Sequence, residues 1–149
     1  MKEAGAVVER NRAGAAEVRA HLRACDASFV PKLSQRVELD AYAEKIVSYA
    51  ERFEAWSGER LTALVAAYCN DPERRTAFVT SISVLPSYQG FGLASRLLRA
   101  SVEHIRQAGF ARLELEVDVR NTAALALYRR HGFAVAGTRE HTQILQLTV

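Results

Sequence analysis

Thr76-Ala77-Phe78-Val79-Thr80-Ser81-Ile82-Ser83-Val84-Leu85-Pro86-Ser87-Tyr88-Gln89-Gly90-Phe91-Gly92-Leu93-Ala94-Ser95 is the stretch whose reading decides the fold. Thr76 to Val84 reads as a strand, Leu85-Pro86 ends it, and two glycines stand at the start of a helix expected from about Gly90 to Ala108. That helix carries Leu93, Leu97, Leu98, Val102 and Ile105 on one face and stops at Gly109. The next strand, Ala111 to Val119, alternates: Leu113, Leu115, Val117 and Val119 point one way, Glu114, Glu116 and Asp118 the other. Strand, helix and strand at this separation form a right-handed crossover, so the two strands should be parallel neighbours in a mixed sheet. Ligands of such sheets favour the carboxyl ends of the parallel strands, where the glycine loop stands.

Towards the N-terminus, two further strands, Phe53 to Ser57 and Leu61 to Cys69, are separated by short turns and extend the sheet as an antiparallel meander. Before them, residues 4 to 9 make a first short strand. Asn11 is positioned to cap a helix bearing Ala15, Val18, Leu22 and Cys25, which ends near Asp26. Ser28 to Gln35, with Pro31, reads as a loop before a second helix carrying Leu39, Tyr42, Ala43, Ile46, Val47 and Ala50. This helical pair is placed to act as a lid. Towards the C-terminus, Asn121 caps a last helix through Arg130, Gly132 terminates it, and residues 133 to 140 and 142 to 149 close the sheet as two strands. The fold class is α/β (α+β), a mixed central β-sheet with flanking helices in the order βααβββαβαββ.

Length and composition agree with this. The 149 residues, 49% apolar and 25% charged, fit a single domain spanning 1 to 149. No apolar run approaches the roughly 18 residues of a membrane span. Met1, Lys2 and Glu3 lead into small residues without the apolar core of a signal peptide, so the expected compartment is cytoplasmic, with no membrane partner. The net charge is +3, and all of it lies after residue 75: the first 75 residues hold 12 Lys+Arg against 12 Asp+Glu, the remainder 8 against 5. Basic and aromatic residues are not interleaved along any face, which argues against nucleic acid and leaves a smaller anionic ligand. Cys25 and Cys69 belong to no metal or redox spacing, and His21, His104, His131 and His141 form no ligand pair, so no metal is expected. The cysteines read as buried packing residues and the histidines as structural or surface groups.

Small residues let a diphosphate approach the unpaired amides and positive dipole of a helix start, although glycines here also serve simply to shape a turn. A Walker loop needs a lysine, and none follows Lys45. The dinucleotide fingerprint needs a third glycine where Ser95 stands. Gln89, Gly92 and Ala94 do spell Q-x-x-G-x-A, and Asn121, Ala124, Tyr128 and Gly132-Phe133 spell N-x-x-A-x-x-x-Y-x-x-x-G-F. With both patterns at this separation, the chain resembles the GNAT superfamily of N-acetyltransferases over nearly its whole length.

The resemblance implies acetyl-coenzyme A (acetyl-CoA) as cosubstrate. Backbone groups of Ile82, Ser83 and Val84 would meet its pantetheine, and Gln89, Gly90, Phe91, Gly92, Leu93, Ala94 and Ser95 its diphosphate, with Asn121 and Tyr128 completing the site. Phe91 replaces a frequent Lys or Arg, so Arg96, Arg129 or Arg130 either supplies the cation or belongs to a solvated face. Tyr128 would protonate the departing thiolate or orient the sulfur. Leu115-Glu116-Val117 with Tyr128 resembles the ribosomal-protein alanine acetyltransferase branch, which makes Glu116 the candidate base, a water chain being the alternative. Backbone amides at a bulged strand end near Val84 would polarise the thioester.

The expected reaction is acetyl transfer to a primary amine of a small molecule such as an amino sugar, polyamine, amino acid or antibiotic. The alternatives are a peptide or protein N-terminus, or a non-catalytic acetyl-CoA-binding module acting as sensor or structural subunit. Phe29, Pro31, Tyr42, Tyr49 and Trp56 are candidates to line the acceptor pocket. Leu145, Leu147 and Val149 form an alternating apolar face that suits either a homodimer or the core. Neither cysteine has an activating neighbour in the sequence, so transfer should be direct. Replacing Cys25 and Cys69 together by Ala should leave thiol release from acetyl-CoA intact, and a large loss of turnover would contradict direct transfer.

Overall fold

The computed structural model describes residues 6–149. Seven strands form one sheet: β1 (Val7–Arg10), β2 (Ala50–Ser57), β3 (Arg60–Tyr68), β4 (Thr76–Val84), β5 (Arg112–Asp118), β6 (Ala134–Arg139) and β7 (Thr142–Thr148). The α-helices are α1 (Ala15–Cys25), α2 (Leu39–Tyr49), α3 (Leu93–Gln107) and α4 (Thr122–Arg130), so the chain follows βααβββαβαββ as expected. Residues 4 and 5 of the expected first strand lie outside the described residues. The strands run in the order β1-β2-β3-β4-β5-β7-β6. Among the described residues only β4 and β5 pair in parallel, as the crossover through α3 requires.

Two hydrophobic cores lie on opposite faces of the sheet. On one, Val18 and Leu22 of α1 and Ala43 and Ile46 of α2 pack against Leu61, Leu64 and Ala66 of β3. On the other, Leu93, Leu97, Leu98 and Ile105 of α3, with Leu125 and Tyr128 of α4, cover Ala63, Val65 and Ala67 of the same strand. β3 is thus buried on both faces from Leu61 to Ala67, and its sequence is a continuous apolar run apart from Thr62. Leu145 is 1% exposed, and Leu147 and Val149 pack partly against the α3–α4 core. The alternating face of β7 therefore points inward, because Leu113, Leu115 and α4 offer it apolar partners.

Several boundaries depart from expectation for local reasons. Asn11 does not cap α1: it adopts a left-handed backbone (φ 59°), and its side chain accepts from Arg52 N at 2.7 Å and donates to Glu51 at 2.7 Å, tying β1 to β2. The cap is Gly14, whose N–H donates to Glu17 Oε1 at 2.8 Å. Ala50 starts β2 instead of ending α2, because Ala50 to Arg52 find ladder partners on β3 at Tyr68 to Ala66. Asp26 organises the Ser28 to Gln35 stretch, accepting from Ser34 N and Ser34 Oγ, both at 2.7 Å. The expected bulge near Val84 lies earlier: Ala66 pairs Ser81 and Ala67 pairs Val79, so Thr80 is the extra residue. Tyr42 of α2 holds it, donating its hydroxyl to Thr80 O at 2.7 Å.

That bulge reverses which side chains face which core. Before it, Ala77 and Val79 face α3; beyond it, Ile82 and Val84 do, while Ser83 turns towards His21 of α1 and Ser81 towards Tyr42 of α2.

At the start of α1 the chain is anchored by a buried ion pair. Glu54 is 0% exposed and accepts from Arg12 N (2.9 Å), Ala13 N (3.0 Å) and Trp56 Nε1 (3.0 Å), with Arg52 Nε at 3.3 Å. Arg52 also donates to Ala13 O at 3.0 Å and Val47 O at 3.1 Å. Removing one member strands a buried charge. Glu54→Ala should therefore lower stability by about 3–5 kcal/mol in urea denaturation. A loss below about 1 kcal/mol would show that water replaces the carboxylate.

Candidate active site

β4 and β5 pair through only three registers, Thr76 with Arg112, Ala77 with Leu113 and Phe78 with Glu114, and then separate. β3 pairs the far edge of β4 and β7 the far edge of β5, so beyond Phe78 and Glu114 it is the two facing edges of β4 and β5 that are left without a strand partner. Backbone donors and acceptors on those edges call for partners from solvent or ligand.

At the wide end of this gap, Pro86–Tyr88 makes a single 3-10 turn, followed by Gly90 (φ 88°) and Gly92 (φ 77°). Both are left-handed, and a Cβ at either would meet nothing within 4 Å; the glycines serve backbone conformation and leave the space outside them open. The first intrahelical bond of α3 runs from Arg96 N to Gly92 O at 3.1 Å, and no side chain among the described residues caps the helix. The amides of Leu93, Ala94 and Ser95 thus point outward without an intrahelical partner. Gln89 fastens the loop, donating from Nε2 to Val84 O at 3.2 Å and to Ser28 Oγ at 3.4 Å. Ser95 Oγ lies 3.0 Å from His131 Nε2. Among the described residues, Arg96, Arg129 and Arg130 form no ion pair.

A cleft of about 410 Å³ opens from this loop, walled by Ile82, Ser83 and Val84 on one side and Asn121, Ala124, Leu127 and Tyr128 on the other. Ser28 and Phe29 overhang it from the α1–α2 connection. A second recess runs on between the separating strands, past Val79 to Ile82 and Leu115 to Asp118. Phe29, Ile82, Asn121 and Tyr128 line both, so Tyr128 stands at their junction. Its phenol has no hydrogen-bond partner among the described residues, and burial pushes its pKa up to about 12, which keeps the proton on at neutral pH. Asn121 accepts from Ala124 N at 3.1 Å and so sets the start of α4 at the cleft wall.

The carboxylates of β5 each have a partner. Glu114 accepts from Gln146 at 2.8 Å, Glu116 Oε1 from Arg139 at 3.0 Å, and Asp118 from Arg120 at 2.7 Å. Glu116 and Asp118 line the recess; Glu114 does not. The hydrogen bonds from Arg120 hold the Asp118 carboxyl well below the usual carboxylate range.

Of the cofactor residues expected from the sequence, Ile82, Ser83, Val84, Gln89, Ala94, Asn121 and Tyr128 line the cleft, while Gly90, Phe91, Gly92, Leu93 and Ser95 form the loop and helix start at its mouth. Leu93 is 2% exposed, so only its backbone is available there. Of the acceptor candidates, Phe29 is in place. Trp56 is instead buried beside Glu54, Tyr42 holds the Thr80 bulge, and Tyr49 lies with Lys45 and Tyr68 in a separate groove.

Behind β4 lies a group that the spacing rules passed over. His21, 3% exposed, has Nδ1 3.1 Å from Leu61 O and Nε2 2.9 Å from Ser83 Oγ. A carbonyl only accepts, so Nδ1 carries the proton and Nε2 accepts from Ser83. Cys25 Sγ is 3.6 Å from the same Nε2, so this cysteine does have an imidazole neighbour. Burial pushes the thiol up to about 11 and the imidazole down to about 4, which leaves both neutral. The i, i+4 relation of His21 and Cys25 on the apolar stripe of α1 was the available signal.

The sequence pattern of the acetyltransferase (GNAT) family matches residues 16–133, and the chain belongs to that family. It is 30% identical over 105 residues to the mycothiol acetyltransferase of Corynebacterium glutamicum (strain R), a match covering 70% of this chain and 34% of that protein. The chain thus spans about a third of that relative's length. Among solved structures, a GNAT family acetyltransferase from Elizabethkingia anophelis with acetyl-CoA bound superposes with a TM-score of 0.74 at 15% identity, covering 97% of this chain and 99% of the other. The ribosomal-protein-S18-alanine N-acetyltransferase of Escherichia coli gives 0.73 at 21% identity, covering 97% and 94%. No helix among the described residues is long and apolar enough to cross a membrane.

His21 makes stability pH-dependent. Unfolded, its imidazole takes a proton below about 6.5; folded, not until about 4, so the unfolded state binds more protons between those values. Its contribution, about 3 kcal/mol, is present above pH 6.5 and lost as pH falls to 4. Urea midpoints at pH 7 and 4.5 should drop more steeply for the wild type than for His21→Gln; equal drops would show that His21 is not held neutral.

Proposed function

We propose that the chain transfers an acetyl group from acetyl-CoA to a primary amine of a small molecule by direct sequential transfer. The observation that carries this is Tyr128 at the junction of two recesses, one leading to the open helix start of α3 and the other to Glu116. The outward amides of Leu93, Ala94 and Ser95, with the α3 dipole, suit a diphosphate, and Arg96, Arg129 and Arg130 are the cations available to it. The unpaired edge of β4 at Ile82, Ser83 and Val84 suits the amides of a pantetheine arm.

In this reading the amine nitrogen attacks the thioester carbonyl carbon while Glu116 takes the amine proton, directly or through water. The carbon–sulfur bond breaks, and the thiolate takes its proton from Tyr128, whose burial keeps it protonated. Cys25 stays out of the chemistry as a neutral thiol behind β4. The C. glutamicum relative is a mycothiol acetyltransferase, which agrees with a small-molecule acceptor. A peptide amine is the second reading, favoured by Leu115-Glu116-Val117 and by the fold shared with the E. coli ribosomal-protein-S18-alanine enzyme.

Calorimetry should detect coenzyme A binding, and its absence would falsify the proposal. Tyr128→Phe should bind coenzyme A normally yet lower kcat about 10²- to 10⁴-fold, and Glu116→Gln should lower kcat/KM by a similar factor at neutral pH. Unchanged rates in both variants would remove these residues from the mechanism. Thiol release across paired small amines and peptides separates the two acceptor readings, and binding without turnover of any amine would leave a non-catalytic module.

A further inference from the structure

The recess beyond Tyr128 contains two charged side chains that the reaction above does not use, Asp118 and Arg36. Arg36 lines it from the α1–α2 connection, as Glu116 and Asp118 do from β5. Its backbone is fixed: Arg36 N donates to Leu33 O at 2.9 Å, Leu33 is 2% exposed, and Asp26 holds the preceding Ser34 through two 2.7 Å bonds. Among the described residues Arg36 has no counter-ion, whereas Glu116 is paired with Arg139 and Asp118 with Arg120. Each carboxylate of the recess is therefore balanced by its own arginine, and the guanidinium of Arg36 is the surplus charge.

We infer that the acceptor is an amino acid or similar amine bearing one carboxylate, with Arg36 as its specificity residue. The guanidinium fork matches a carboxylate in bidentate geometry, and Arg36 is the one arginine among the residues that line the recess. A carboxylate held there leaves the amine on the Glu116 side, next to Tyr128. A dianionic phosphate would exceed the single uncompensated charge, and a polyamine would meet Arg36 as a repelling cation while the carboxylates of the recess are already paired with Arg139 and Arg120. This inference rests on the acetyltransferase reading and narrows its acceptor.

The test measures thiol release from acetyl-CoA with the common L-amino acids, their carboxamides, and putrescine and spermidine, alongside calorimetry with coenzyme A. Amino acids should be preferred over their carboxamides. Arg36→Gln should raise KM for the preferred amino acid about 10- to 100-fold with little change in kcat, abolish the preference over the carboxamide, and leave coenzyme A affinity unchanged. Arg36→Lys should recover part of the preference. Equal use of acid and carboxamide, or an Arg36→Gln enzyme that still discriminates, overturns the inference. Turnover of the polyamines alone, or of nothing in the panel while coenzyme A binds, also overturns it; loss of coenzyme A binding in the wild type instead overturns the acetyltransferase reading.

Discussion

The early parting of β4 from β5 is the constraint on which the rest depends. A parallel pair that stayed in register would satisfy its backbone and leave no gap, and the cleft, the recess and the junction at Tyr128 would all be absent. The divergence is stabilised from both sides. β5 gains a full ladder with β7, while β4 is held by β3 and bent at Thr80, where the Tyr42 hydroxyl takes up the carbonyl of the extra residue. Between them α4 inserts Tyr128, its ring 5.9 Å from that of Phe133.

Behind the exposed edge of β4, His21 accepts from Ser83 and bridges to β3 through Leu61. A strand with one unpaired edge depends on its other contacts for position. The neutral imidazole supplies one of them without placing a charge behind the cleft.

What the sequence made legible follows from physical range. The Gln89 to Ser95 loop, the alternation of β5 and the glycine after α4 are local patterns, and they lie where expected. The Thr80 bulge was not legible at its true place, because nothing in Val79-Thr80-Ser81 differs from ordinary strand; Tyr42, far away in sequence, specifies it. Trp56 suits a pocket by its chemistry, yet its indole N–H is claimed by Glu54. Arg36 has no local signature, since its significance comes from carboxylates on β5 being paired elsewhere.

The two cores on opposite faces of β3 separate the α1–α2 hairpin from the α3–α4 layer. Phe29 and Arg36, on the hairpin's connection, line the recess beyond Tyr128, whereas the glycine loop belongs to α3. In the language of protein engineering, the hairpin is an exchangeable cassette with natural seams. The Glu54–Arg52 pair grips backbone atoms of Arg12, Ala13, Val47 and Ala50, so a transplant between residues 14 and 49 keeps every one of those contacts except the carbonyl at 47, which any helical residue supplies. A library built on those seams that keeps His21 and Tyr42, the two hairpin residues that hold β4, would vary the wall of the recess while leaving the α3 end of the molecule in its own sequence.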